Sequence, residues 1–189
     1  MARATPDDFV FAVTASRYCT NRKVLADAGT AIDRFLDQGL TELGSKLGPV
    51  NWQLPSTKKF DPADIAEFLS LLPTQRDGIA LRHAVEVRHG SFAAPEFCDL
   101  ARKHRVAIVS ARGDDLPEID VATAEFTYAR FMSSREELET GVSDAEVEAI
   151  AAQVQSWSKR GDVFAYFISG AKIRNPAASR SLLRKLDQS

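Results

Sequence analysis

The stretch HAVEVRHGSF at 83–92 decides how this chain is read. Val85 and Val87 alternate as on a strand buried on one side, while Glu86 and Arg88 occupy the other parity and His89 follows them. A carboxylate and a guanidinium on one face of a buried strand need a reason. They face water, they pair across an enclosed space, or they form a site.

The same pattern repeats outward from this strand. Strands are predicted at 9–15 (FVFAVTA), 49–55 (PVNWQLP), 106–111 (VAIVSA), 125–132 (EFTYARFM) and 163–169 (VFAYFIS). Between them lie helical periodicities. TAIDRFLDQGLTEL at 30–43 spaces Ile32, Phe35, Leu36 and Leu40 along one face. DPADIAEFLSLLP at 61–73 opens with Asp61 as cap and Pro62 in the first turn. APEFCDLARKH at 94–104 ends on basic residues, as the helix dipole favours. The 143–161 segment opens with a Ser143–Glu146 capping box and stops at Gly161, and 175–186 starts with Asn175 as cap and Pro176. Only 112–124 joins two strands without a helical pattern. Six strands in βα order imply a parallel sheet covered by helices. A doubly wound sheet and a (β/α)₈ barrel short of two units both fit. No linker or repeat divides the chain, so residues 1–189 read as one domain.

One parity of nearly every strand is polar toward its C-terminal half. The set comprises Thr14, Asn51, Gln53, Glu86, Arg88, Ser110, Arg112, Tyr128, Arg130 and Tyr166. The opposite parity (Phe9, Phe11, Val13, Val50, Trp52, Val85, Val87, Phe131, Phe167) suits a helix-packed face. In parallel α/β folds the C-terminal strand ends form the ligand face. Arg88 and Arg130 are therefore candidates for holding a carboxylate or phosphate. Asn51 and Gln53 would stand beside them. Glu86 is the acid–base candidate and His89 a second proton carrier. Lys172 and Asn175 bound the KIRN loop (172–175) before a helix N-terminus, where backbone N–H groups can hold an anion. The competing reading is structural: Glu86, Arg88 and Arg130 as an ion-pair network, His89 as a loop residue with a local hydrogen bond, Asp114 and Asp115 as a solvated turn.

Composition narrows the classes. The 189 residues carry a formal charge of −2, with 44% apolar and 26% charged residues. The pI near 5.9 weighs against nucleic acid as partner. The N-terminus MARATPDDF has no apolar signal region, and no run approaches a membrane span. Cys19 and Cys98, far apart, read as packing residues of a cytoplasmic protein. Three histidines without HxH or HxxxH spacing predict no metal. The absence of P-loop, GxGxxG and GxSxG patterns predicts no familiar cofactor or nucleophile elbow.

Several of these stretches together resemble the YecE-like family, domain of unknown function 72. They are DFVFAVTAS (8–16), TNRKVL (20–25), KLGPVNWQLP (46–55), VEVRHGSF (85–92), VAIVSA (106–111), FTYARF (126–131) and VFAYF (163–167), in family order along the chain. The resemblance implies a TIM-barrel-like fold and so favours the barrel. Family members usually carry two more strands before the DDF segment, so the expectation is an incomplete barrel of about six strands. Of the usual polar positions, Gln53, Glu86, Arg88, His89, Arg130 and Asn175 remain. Thr14 stands where lysine is usual, Met132 and Ser133 replace a His–Gly pair, Ile168 and Ser169 replace asparagines, and Arg112 lies near a usual aspartate. The family brings no established reaction. Three functions stay open: an enzyme-like barrel binding a small anion, a non-catalytic remnant acting through association at unpaired strand edges, and a nucleic-acid-related enzyme.

Overall fold

The computed structural model describes residues 4–113 and 116–188, so Asp114 and Asp115 lie outside the described residues. In chain order the elements are β1 (Phe11–Thr14), α1 (Arg17–Thr20), α2 (Gly29–Leu36), β2 (Leu47–Gln53), α3 (Pro62–Ser70), β3 (Gln75–Arg76), β4 (Ile79–Ala80), β5 (His83–Glu86), α4 (Pro95–Lys103), β6 (Ala107–Ile108), β7 (Ser110–Arg112), β8 (Phe126–Phe131), α5 (Asp144–Ser158), β9 (Asp162–Phe167) and α6 (Asn175–Asp187). Two parallel sheets, β1-β2-β5-β6 and β7-β8-β9, share the strand path 107–112. Six parallel strand positions with helices outside make a TIM-barrel-like fold. Among the described residues nothing pairs with the outer edges of β1 and β9, so the arc does not close.

The helices start where their caps lie. Asp61 accepts from the backbone N–H groups of Ala63 and Asp64 at 3.1 and 3.2 Å, with Pro62 in the first turn of α3. At α5 the Ser143 hydroxyl accepts from Glu146 N, and the Glu146 carboxylate accepts from Ser143 N. The Ser143 donors and Arg135 hold the Glu146 carboxyl below its usual range against a small burial effect. Gly161, at φ 149°, lets the chain turn into β9, since a Cβ there would lie 1.9 Å from the Glu125 carbonyl oxygen.

Three features differ from the sequence expectation. The 30–43 helix ends at Leu36, because Gly39 takes the left-handed conformation (φ 84°) and a 3₁₀ segment, Leu40–Lys46, follows. An unpredicted hairpin, β3–β4, turns on Asp77 and Gly78, both at positive φ, as a two-residue Asp-Gly turn requires. Asn175 is one residue inside α6 and does not cap it; the cap position is Arg174, without a side-chain bond.

The outer core holds the apolar parity from Val13 onward, whereas Phe9, before β1 begins, is exposed. Trp52 sits edge-on to Phe35 at 5.7 Å and Phe68 at 6.1 Å, all three buried. Its Nε1 donates to His83 Nδ1 at 3.1 Å, which places the imidazole proton on Nε2, 2.7 Å from the Pro73 carbonyl. Burial lowers the pKa of His83. The segment 116–124 stands in place of a helix. Its Thr123 hydroxyl donates to Val106 O at 2.7 Å and accepts from Ile108 N at 3.1 Å. Asp120 accepts from Trp157 Nε1 on α5. Along 107–112 the inward side chains are Ala107, Val109 and Ala111, packed with Ala84, Phe126 and Tyr128. The expected inward pair Ser110 and Arg112 is on the other parity, because Ile108 packs into the outer core and sets the alternation.

Candidate functional site

Strand register brings the inward polar residues to one end. Gln53 is opposite Glu86 across β2 and β5, and Arg130 lies between Ala111 and Tyr166 across β7, β8 and β9. Glu86 is wholly buried and accepts from four N–H groups. Arg88 Nε and Nη2 donate to its Oε1 at 3.0 and 2.8 Å. Asn51 Nδ2 donates to Oε2 at 3.0 Å, and Arg130 Nη1 donates to the same oxygen. Arg130 Nη1 also donates to Gln53 Oε1 at 3.0 Å. Two guanidinium charges against one carboxylate leave a surplus positive charge in a poorly solvated place.

The network is incomplete. Among the described residues Arg130 Nε and Asn51 Oδ1 are buried with no hydrogen-bond partner. Arg88 has a side chain 30% exposed against 11% for Arg130, so it is the more movable of the two. Tyr128 and Tyr166 stand on the same inward face, rings 5.3 Å apart and inclined by 32°. Burial raises both phenols; the neighbouring Tyr166 and Glu86 add to the effect at Tyr128, and Arg130 opposes it.

The other sequence candidates lie outside this network. His89 Nδ1 accepts from Ser91 N at 3.1 Å and lies 2.8 Å from the Ser91 hydroxyl, so the ring caps the short turn Gly90–Phe92. Asn175 Oδ1 accepts from the Ser169 hydroxyl at 2.8 Å, and Lys172 is exposed in the loop before α6. A cavity of about 830 Å³ opens at the opposite, N-terminal ends of the strands, beside Arg82, His83, His104, Phe126 and Asp162. That end receives the C-termini of α3 and α4, whose dipoles are unfavourable to anions. The charge-bearing network therefore outweighs the larger volume. Among the described residues no group of three His, Cys, Asp or Glu side chains is placed to hold a metal ion, and no helix is long and apolar enough to cross a membrane.

The model for "Protein of unknown function DUF72" matches residues 1–189. The chain belongs to the DUF72 family. Its fold is that of solved family members. A DUF72 protein from Thermotoga maritima aligns with a TM-score of 0.72 at 24% identity, over 99% of this chain and 76% of its own. Two crystal structures of a DUF72 protein from Enterococcus faecalis align at 0.77 and 0.79, each at 15% identity, over 100% of this chain and 78% and 82% of theirs. A search of curated proteins finds no match.

Sequence reasoning named Tyr128 and Tyr166 as inward-facing but gave them no part in the site. The signal was their parity and the parallel register that sets Tyr166 beside Arg130. The Ser91 partner of His89 had a signal too: a hydroxyl two residues after a histidine that ends a strand.

Proposed function

We propose that this DUF72 chain is an enzyme-like barrel that binds a small ligand bearing a carboxylate or phosphate. Arg88 and Arg130 hold the anion at the C-terminal strand ends, and Asn51 and Gln53 line the place. The observation that carries the reading is the surplus guanidinium charge with a buried, unpaired Arg130 Nε. A cation built into a low-dielectric surround with a free donor has its natural partner in an oxyanion. Glu86 orders the two arginines. All four of its acceptor positions are used, so proton transfer by Glu86 requires a donor to leave first. Arg88, swinging from Oε1 to the ligand, supplies that release. His89, with its proton on Nε2, is the second proton carrier at the rim, and Lys172, in the loop before α6, and Asn175, the first residue of that helix, are further candidates for contact with the anion. The two free thiols, Cys19 buried and Cys98 half-buried, suit a reducing compartment such as the cytoplasm.

Thermal melts with and without inorganic phosphate test the reading. Binding at a hundredfold excess over Kd stabilises by about 2.7 kcal/mol. Wild-type melting should rise with phosphate and Arg88→Met melting should not. Phosphate-independent melting of the wild type removes the proposal.

A second reading, association, is supported by the half-buried, apolar edge strands β1 and β9. Light scattering should then show dimers or larger species. A monodisperse monomer across concentration excludes it.

A further inference from the structure

The inward face around the two arginines has more free donors than acceptors. Among the described residues neither the Tyr128 nor the Tyr166 hydroxyl makes a hydrogen bond, Arg130 Nε is unpaired, and Arg88 Nη1 has no partner. Against these donors stand Asn51 Oδ1 and the two phenolic oxygens, which can also accept, so donors remain in excess. Burial keeps both phenols protonated at neutral pH, so they remain donors.

Aromatic and small apolar side chains adjoin the donors. Tyr166 is directly beside Arg130 in the β8–β9 register, and Ala111 is on its other side. Tyr128 lies two residues before Arg130 on the same face and backs onto Tyr166. Tyr128 is only 4% exposed, whereas Tyr166, on the open edge strand, is half-buried and can be reached. An aromatic face that ends in a guanidinium offers stacking at one end and bidentate charge pairing at the other.

We infer that the ligand of this site is an oxyanion carried on a planar π system, such as an aryl phosphate or aryl carboxylate, with its ring on Tyr166 and its charged oxygens on Arg88 and Arg130. This rests on the anion-binding reading above. The donors fit a group with several acceptor oxygens.

Calorimetric titration of the full chain with phenyl phosphate and with inorganic phosphate, and with benzoate and acetate, tests this. A stacked ring is worth about tenfold in affinity, so phenyl phosphate should bind about ten times tighter than phosphate, and benzoate tighter than acetate. Tyr166→Leu should bring both ratios close to one. Tyr166→Phe, which keeps the ring, should preserve them and guards against a folding defect in the leucine variant. Equal binding of aryl and simple anions by the wild type, or ratios unmoved by Tyr166→Leu, overturns the aromatic ligand while the anion site stands. No binding of any of the four probes overturns the anion site itself.

Discussion

Replacing Glu86 with leucine removes the group on which the inward network converges. Leucine has a similar size, so the change is mainly one of charge. Two guanidiniums then share the space with no counter-charge. Arg88 can turn toward water, since its side chain is 30% exposed, but Arg130 at 11% cannot. Stranding one partner of a buried ion pair costs about 3–5 kcal/mol. At this chain length each kcal/mol lowers the melting point by about 2–4 °C, so Glu86→Leu should melt about 6–20 °C lower. Glu86→Leu/Arg130→Met removes both buried charges and should recover most of the loss. Arg88→Met alone leaves Glu86 with Arg130 and Asn51, and should cost only about 1–2 kcal/mol. Phosphate should return part of the Glu86→Leu deficit by supplying the missing negative charge. Urea unfolding followed by circular dichroism measures all three variants. A Glu86→Leu loss below about 1 kcal/mol, or a double mutant no better than the single, refutes the claim that Arg130 is a stranded charge.

His83 titrates below its ordinary value because it is buried, so the unfolded chain binds its proton first. The stability contribution is present above about pH 6.5, the ordinary histidine value, and is lost as the pH falls toward the lowered folded value. Urea midpoints should therefore decline on acidification from pH 7 to 5, and His83→Gln should flatten that slope; an unchanged slope counts against the assignment. Thr123→Val removes the hydroxyl that joins Val106 O to Ile108 N and should cost about 1–3 kcal/mol with no change in volume, read from the same unfolding curves; a neutral result means that water or the sheet replaces the bond.

The alternation of residues was enough to place Asn51, Gln53, Glu86, Arg88 and Arg130 on one face, because a strand's period of two survives whatever its neighbours are. It failed at Ser110 and Arg112, where periodicity could not show that Ile108 would take the outer core and bring Val109 and Ala111 inward. The Asp77–Gly78 hairpin was legible as a turn dipeptide but its flanks are only two residues each, too short for a strand pattern. Asn175 reads as a cap by type, yet Ser169 takes its side chain, and a partner six residues upstream has no sequence signature. The saturation of Glu86 was out of reach as well, since Arg130 is 44 residues away and only the folded arc brings it there.

The sharing of one strand path by two sheets has a mechanical consequence. The first sheet is built against α1 to α4 and the second against α5 and α6, and each has its own outer core. The backbone joins them near Val109, a buried apolar cluster of Ala84, Phe126 and Tyr128 spans the joint, and polar clasps span it at both strand ends. One is Glu86 with Arg130 at the C-terminal strand ends. The other is Arg82, which pairs with Asp162 at 2.7 Å and lies over the Phe164 ring at 4.7 Å at the N-terminal ends. The two halves are therefore clasped at both ends of the strands, and the clasps are unequal, since Asp162 is solvent-exposed and Arg82 half-buried while Glu86 is wholly buried. Salt weakens the Arg82–Asp162 clasp first. At high ionic strength the amides of β8 and β9 should exchange hydrogen faster than at low salt, by more than those of β2 and β5 do.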